Sequence, residues 1–313
     1  MYLNKSNLLM SEETSIETSI TKRATVQTID QMLGKQIPIL DHGFIRVIDY
    51  MGSDDSIVQA ARISYGKGTK RKQDDQNLIN YLMRHKHTTP FEMCEIKLHI
   101  KMPIFVARQW IRHRSANVNE YSARYSIMSD DYYVPKSENI SVQSLTNKQG
   151  RETAGLDSDQ AENIINKIKN FSQQGLELYK ELLNQDSLGN LIDPSKPNLS
   201  KELARIILGV NFYTEMYWKI DLHNLLHFLH LRASDHAQYE IQVYAKCIED
   251  IIKIWTPISY EAYKNYRKNN VSIQKSAFDA ITSNTDKKNA IETLASLNMS
   301  KRELNELIDM LKD

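Results

Sequence analysis

The chain has 313 residues, 40 of them Lys or Arg and 39 Asp or Glu, for a net charge of +1. That length supports a real core in one large domain or two modest ones. The near balance of charge argues against a general nucleic-acid or membrane-surface binder. Two cysteines, Cys94 and Cys247, lie far apart without metal spacing and suit a reducing compartment. No apolar run reaches the length of a membrane span, and the polar N-terminus lacks a signal-peptide core. A cytoplasmic protein with no membrane partner is expected.

Residues 1–40 are rich in Ser, Thr, Glu and Lys with weak periodicity, and read as a poorly ordered or peripheral extension. After the turn residues Asp41 and Gly43, the run 44–48 predicts a strand. Asp54, Asp55 and Ser56 start a helix that continues to about Tyr65. Residues 66–72 form a basic loop, either solvated or a mobile phosphate contact. The amphipathic stretch 74–86 predicts a helix, closed on the approach to Pro90. Residues 96–102 alternate strictly, with Ile96, Leu98, Ile100 and Met102 inward and Lys97, His99 and Lys101 outward, which predicts a half-buried strand.

That strand delivers the chain into 108–125, R-Q-W-I-R-H-R-S-A-N-V-N-E-Y-S-A-R-Y. Arg108, Arg112, Arg114 and Arg124 stand here among Gln109, His113, Asn117, Asn119, Glu120 and Ser122. A guanidinium is a rigid fork that fits carboxylate or phosphate oxygens two at a time, so the stretch reads as an anion site. A salt-bridged surface helix is the alternative. A helix is expected from Pro103, running into a loop at the Asn-rich residues 115–119.

Residues 132–151 are loop-like. Ser158 caps a long helix to about 184, and 185–199 form a connection. Ser200 caps a short helix through Ile207, and a strand falls within 210–220. Asp221 starts a helix carrying His223, His227 and His230 on one face. Ser234 or Asp235 caps the next, to about Trp255. Residues 272–313 predict two or three short helices, with Ser300 and Glu303 as a capping box. The three histidines permit a zinc or iron site, yet no carboxylate pair or Glu-x-x-His repeat completes one, and they serve equally as core or cofactor contacts. No metal is expected. Neither cysteine lies in a nucleophile motif, and both read as packing residues. No glycine-rich dinucleotide fingerprint is present.

Several of these stretches together carry a resemblance. Arg112-His113-Arg114, seven residues and then Ser122, within Asn119-Glu120-Tyr121-Ser122-Ala123-Arg124-Tyr125, resembles the signature of the flavin-dependent thymidylate synthases. His87-Thr88-Thr89-Pro90-Phe91-Glu92, Ala61-Arg62-Ile63-Ser64 and Ala204-Arg205 are similar to further family segments. So is Leu226-His227-Phe228-Leu229, with Leu231-Arg232 and His236-Ala237-Gln238 beyond it. The likeness spans about residues 44–266 and neither tail. It implies an α+β fold, a mixed β-sheet flanked by helices, with a family domain over 41–270 and a helical appendage over 271–313. It implies conversion of dUMP to dTMP with 5,10-methylenetetrahydrofolate as methylene donor and NADPH-reduced FAD as hydride source. It also implies a homotetramer with sites shared between subunits.

The resemblance assigns Arg232 to activation of the uracil ring without an enzyme nucleophile. Gln109, Arg112, Glu120, Ser122, Arg124 and Arg205 join it as dUMP contacts. Ser64, Thr89, Glu92, Arg112, His113, Arg114, Ser115, Glu120, Asp221, His223 and His227 become FAD contacts, with His87 near flavin or folate. Some relatives carry Asn, Arg and Asn where this chain has Asp221, His223 and His227. The competing readings are a metalloenzyme ligated by His223, His227 and His230, and a single-strand nucleic-acid binder using Trp110, Arg112, Arg114 and Tyr125.

Overall fold

The computed structural model describes residues 23–63, 75–145, 150–297 and 299–312. Its centre is strand β3 (Glu95–Pro103), which follows β1 (Gln36–Ile39) and β2 (Gly43–Met51) in the chain. Together with β4 (Asn117–Glu120) and β7 (Tyr213–Asp221) these form one sheet in the order β1-β2-β3-β7-β4. The short strands β5 (Ser141–Gln143) and β6 (Arg151–Gly155) pair separately. The α+β class is borne out. All four pairings of the main sheet are antiparallel, where the resemblance suggested mixed strand directions.

The alternation along β3 sets the layers. Ile96, Leu98, Ile100 and Met102 are completely buried, and each fully buried aliphatic side chain contributes about 1.5–3 kcal/mol. They pack under helices α1 (Gln27–Asp30), α2 (Asp54–Ile63), α3 (Asp75–Arg84), α8 (Leu222–Arg232), α9 (Tyr239–Trp255) and α10 (Pro257–Tyr263). Trp110, at the end of α5 (Ile104–Trp110), meets Trp218 edge-on at 5.2 Å and Phe228 at 4.7 Å between ring centroids. On the opposite face Lys97 and His99 are half-buried, with His99 stacked on Tyr217 at 4.9 Å. Lys101 departs from the expected outward position. It is buried because Asp131 closes over it and accepts from its Nζ at 2.5 Å.

A smaller core lies beside the sheet. Leu176, Tyr179 and Leu183 of the long helix α6 (Ser158–Leu183) pack with Ala204 of α7 (Lys201–Ala204), Phe212, Ala123 and Met128. The Tyr179 hydroxyl accepts from the Met128 amide at 3.0 Å. This satellite holds the downstream half of the arginine-rich stretch.

Four local expectations change. Of the extension assigned to 1–40, residues 23–40 are ordered on the border of the fold: Ile29 and Ile39 are buried, β1 forms a sheet edge, and the Tyr50 hydroxyl donates to Asp30 at 2.6 Å. Residues 117–120 form an edge strand on β7 rather than a loop. The cap of α6 is Asp157, whose carboxylate accepts from the Gln160 amide at 2.8 Å, one residue before the expected Ser158. Residues 234–238 make a turn, so α9 begins after Gln238 and not at Ser234 or Asp235. Beyond α10 the chain continues through a π turn (Lys264–Lys268) into α11 (Lys275–Ser283), α12 (Lys287–Ala295) and α13 (Lys301–Lys312).

Candidate active site

The end of α3 is the first wall of a cleft. The Lys86 amide donates to the Met83 carbonyl and the His87 amide to the Leu82 carbonyl, the paired bonds that close a helix with one left-handed residue. That residue is Lys86, at φ 60°. The reversal sends His87 and Thr88 toward the short helix α4 (Thr89–Glu92), anchored by the buried Phe91. The second wall is α8. Asp221 caps it, accepting from the Asn224 amide at 2.9 Å and the Asn224 side chain at 2.7 Å. The spacing of His223, His227 and His230 puts all three on one side of that helix. Tyr263, Tyr266 and Arg267 form a third wall. The cleft between them holds about 540 Å³, within the usual range for small-molecule sites.

Behind His227 lies His113, which leaves α5 through a bond from its amide to the Trp110 carbonyl at 2.9 Å. The two imidazoles are 5.6 Å apart, and Phe228 stands 5.5 Å from His113. Burial, and then the neighbouring His227, hold His113 below the ordinary histidine value, while a hydrogen bond with the Asn224 backbone acts the other way. Burial also lowers His227, helped by His230 and His223. Both rings are therefore neutral at pH 7. Arg232 donates to the Gln109 carbonyl at 3.5 Å, and burial lowers its pKa without discharging it. His113 Nε2, Gln109 Oε1 and Arg232 Nε are buried without a partner among the described residues. Three orphaned polar atoms of this kind fit a ligand carrying both donors and acceptors.

A second cluster stands at the other end of β7. Glu120 accepts from the Thr214 hydroxyl at 2.9 Å. Arg124 bonds the Glu202 carboxylate through Nε at 3.3 Å, and Arg205 donates to the Glu202 carbonyl at 3.3 Å. Ser122 is next to this pair, its hydroxyl accepting from the Arg124 amide at 3.4 Å. Along β7, seven steps of about 3.3 Å, roughly 23 Å of strand, separate Thr214, which bonds Glu120, from Asp221 at the start of α8. Arg112, Arg114 and Ser115 are exposed, and no ion pair engages either arginine among the described residues.

Residues 46–258 match the family described as thymidylate synthase complementing protein. Over 93% of its length the chain is 53% identical to the flavin-dependent thymidylate synthase of Rickettsia bellii, covering 99% of that protein. This chain belongs to the flavin-dependent thymidylate synthase family. A relative of the same description from Wolbachia pipientis wMel is 52% identical over 93% of this chain and 97% of its own. The crystal structure of a UMP/dUMP methylase, PolB from Streptomyces cacaoi bound with 5-Br dUMP, aligns with a TM-score of 0.64 and 27% identity, over 74% of this chain and 99% of that one. The family match ends at residue 258, so α11 to α13 lie beyond it.

Within this family member, the sequence-assigned residues fall into two groups. His87, His223 and His227 line the cleft, with Thr89 and Glu92 in α4 beside it and His113, Gln109 and Arg232 behind it. Glu120, Ser122, Arg124 and Arg205 form the distant group. Ser64 and the basic loop 66–72 lie outside the described residues. No three His, Cys, Asp or Glu side chains converge as a metal cage would require among the described residues, and no described helix is long and apolar enough to cross a membrane. Reading the sequence missed Glu202, Thr214, Tyr263, Tyr266 and Arg267. Glu202 had a detectable signal, one carboxylate three residues before Arg205; the cleft-lining tyrosines had none, because aromatic residues at helical spacing read as core.

Proposed function

We propose that the protein is a thymidylate synthase that converts dUMP and 5,10-methylenetetrahydrofolate to dTMP and tetrahydrofolate, with FAD as bound cofactor and NADPH as reductant. The observation that carries this reading is the orphaned trio His113, Gln109 and Arg232 behind a histidine- and tyrosine-lined cleft, in a chain closely similar to named flavin-dependent thymidylate synthases. A flavin, when bound, supplies the hydride chemistry that protein side chains lack.

What the residues do follows from their settings. Neutral His227 offers one donor and one acceptor to the cleft, whereas His113, already bonded to the Asn224 backbone, offers its Nε2. Thr89, Glu92, His223, Asp221, Arg112, Arg114, Ser115 and Glu120, with Ser64, complete the FAD contacts, and His87 faces flavin or folate. Arg232, charged and short of a full set of acceptors, stabilises negative charge developing on the pyrimidine ring. Arg124 and Arg205 turn from Glu202 to the nucleotide phosphate, and Gln109, Arg112 and Ser122 hold the remainder. Arg124 and Arg205 bond Glu202 and share no described contact with the cleft residues, which supports sites completed by a second copy, in a homotetramer. No cysteine takes part: burial pushes the Cys94 thiol up to about 12 and Cys247 up to about 11.

The test is direct. The purified protein carries flavin absorbance and forms dTMP from dUMP, the folate and NADPH. Colourless protein that still methylates dUMP, or yellow protein that makes no dTMP, overturns the reading.

A further inference from the structure

The C-terminal helix α13 lies outside the family match yet is fastened to the cleft. Its start is capped by Ser300, whose hydroxyl accepts from the Glu303 amide at 3.2 Å. The Glu303 side chain does not return to its own helix end as a full capping box would require. It accepts from the Tyr266 hydroxyl at 3.0 Å and pairs with Arg84 at 3.1 Å. Glu306, one turn on, takes the other Arg84 nitrogen at 3.0 Å and His85 Nε2 at 3.3 Å. Arg302 stands 4.1 Å over the ring of Tyr81, which in turn lies 4.3 Å from His85 and 5.7 Å from His87.

These contacts reach two walls at once. Arg84 is the last residue of α3, two residues before the left-handed Lys86 that aims His87 into the cleft. Tyr266 sits in the π turn that also supplies Arg267, and such turns are rare overall yet frequent at functional sites. The Arg84 and Glu303 side chains are 18% and 15% exposed, so the pairing is partly desolvated, and charge-assisted bonds there are stronger than on open surface. Without α13, the end of α3 and the π turn lose their shared anchor.

We infer that α13 is a brace for the cleft, with Arg84, Glu303 and Glu306 as positioning residues that hold the His87 and Tyr266 walls at the spacing the flavin requires. This rests on the cleft being the flavin site. Docking of α13 and flavin binding then favour each other, and the coupling is reciprocal.

The experiment uses the full chain and FAD. Glu303→Gln with Glu306→Gln weakens FAD affinity about five- to ten-fold, while kcat at saturating FAD stays unchanged, a split that general destabilisation does not produce. Arg302→Met, which removes the cation over Tyr81 and the exposed pair with Glu306 but leaves both Arg84 carboxylate partners, shifts affinity in the same direction by less. In the wild-type chain, saturation with FAD slows amide hydrogen exchange across residues 299–312. Equal FAD affinity in both variants, or exchange in α13 indifferent to FAD, overturns the brace while leaving the flavin reading intact. A wild-type chain that takes up no FAD overturns both.

Discussion

The histidine cleft and the arginine segment 112–125 differ in what holds them in place. The cleft walls are ends of helices rooted in the main core: Phe91, Leu226, Phe228 and Tyr263 are all buried. Its ligand-facing groups are thus set before any ligand arrives. The arginine segment hangs between two cores. Ala123 and Met128 fasten its far end, but β4 is exposed along its whole length and Arg112 and Arg114 project free of ion pairs among the described residues. Rigid placement suits hydride transfer and ring polarisation, which tolerate little misalignment. Exposed guanidinium groups suit capture of an anion, where charge acts over longer range.

The largest expected effect breaks the cleft half. Arg232→Ala lowers dTMP turnover about 10²- to 10³-fold and leaves flavin absorbance in place; steady-state assays beside a flavin spectrum check both. Near-normal turnover would remove the catalytic role from this region. Next is the arginine half. Arg124→Ala raises the KM for dUMP about 10- to 100-fold, as loss of a charge-assisted bond implies. It leaves the melting temperature nearly unchanged, because its exposed pair with Glu202 is worth about 0.2–1 kcal/mol. A falling melting temperature with unaltered KM would turn Arg124 into a structural residue.

A third prediction concerns pH and separates the halves by stability. His113 and His227 are depressed below 6.5 in the folded chain by burial. The unfolded chain therefore binds more protons as pH drops, so the stability these two groups contribute is present above pH 6.5 and is lost on acidification below it. Melting temperature measured from pH 8 to 5 falls on the acid side, and His113→Gln flattens that limb, whereas Arg124→Ala leaves its slope alone. An unchanged slope in His113→Gln would place the acid sensitivity elsewhere. The smallest effect is for Cys94→Ala and Cys247→Ala, each keeping its turnover per folded molecule. Lost turnover with dUMP still bound would reinstate a thiol in the chemistry.

Much of the fold was legible because period carries it. The alternation in 96–102 is an antiparallel strand buried on one face, and Asp221 announces α8 as a cap. Residues 23–40 were not legible: their core contact rests on Ile29 and Ile39, with Val26, Met32, Leu33, Ile37 and Leu40 partly buried beside them, at spacings that show no clear period, and β1 pairs only with the edge that β2 offers. The strand 117–120 was hidden for a similar reason, since Asn-Val-Asn-Glu has low intrinsic β preference and depends on β7 for its pairing. Motif spacing pointed to the assigned residues. It could not tell that Glu120, Ser122, Arg124 and Arg205 gather around Thr214 and Glu202 while His87, His223 and His227 line the cleft, because that grouping is set by packing and not by sequence distance.

The two borders of the main sheet have a further consequence. One border, β1, contains Pro38, which has no amide hydrogen to offer a newcomer; the other, β4, is four residues long, and three of them are Asn or Glu. Neither is a good template for continued strand addition, so the layer is sealed against fibrous growth. A second copy in the proposed homotetramer would then meet side-chain surfaces, whose shape and charge select a specific neighbour.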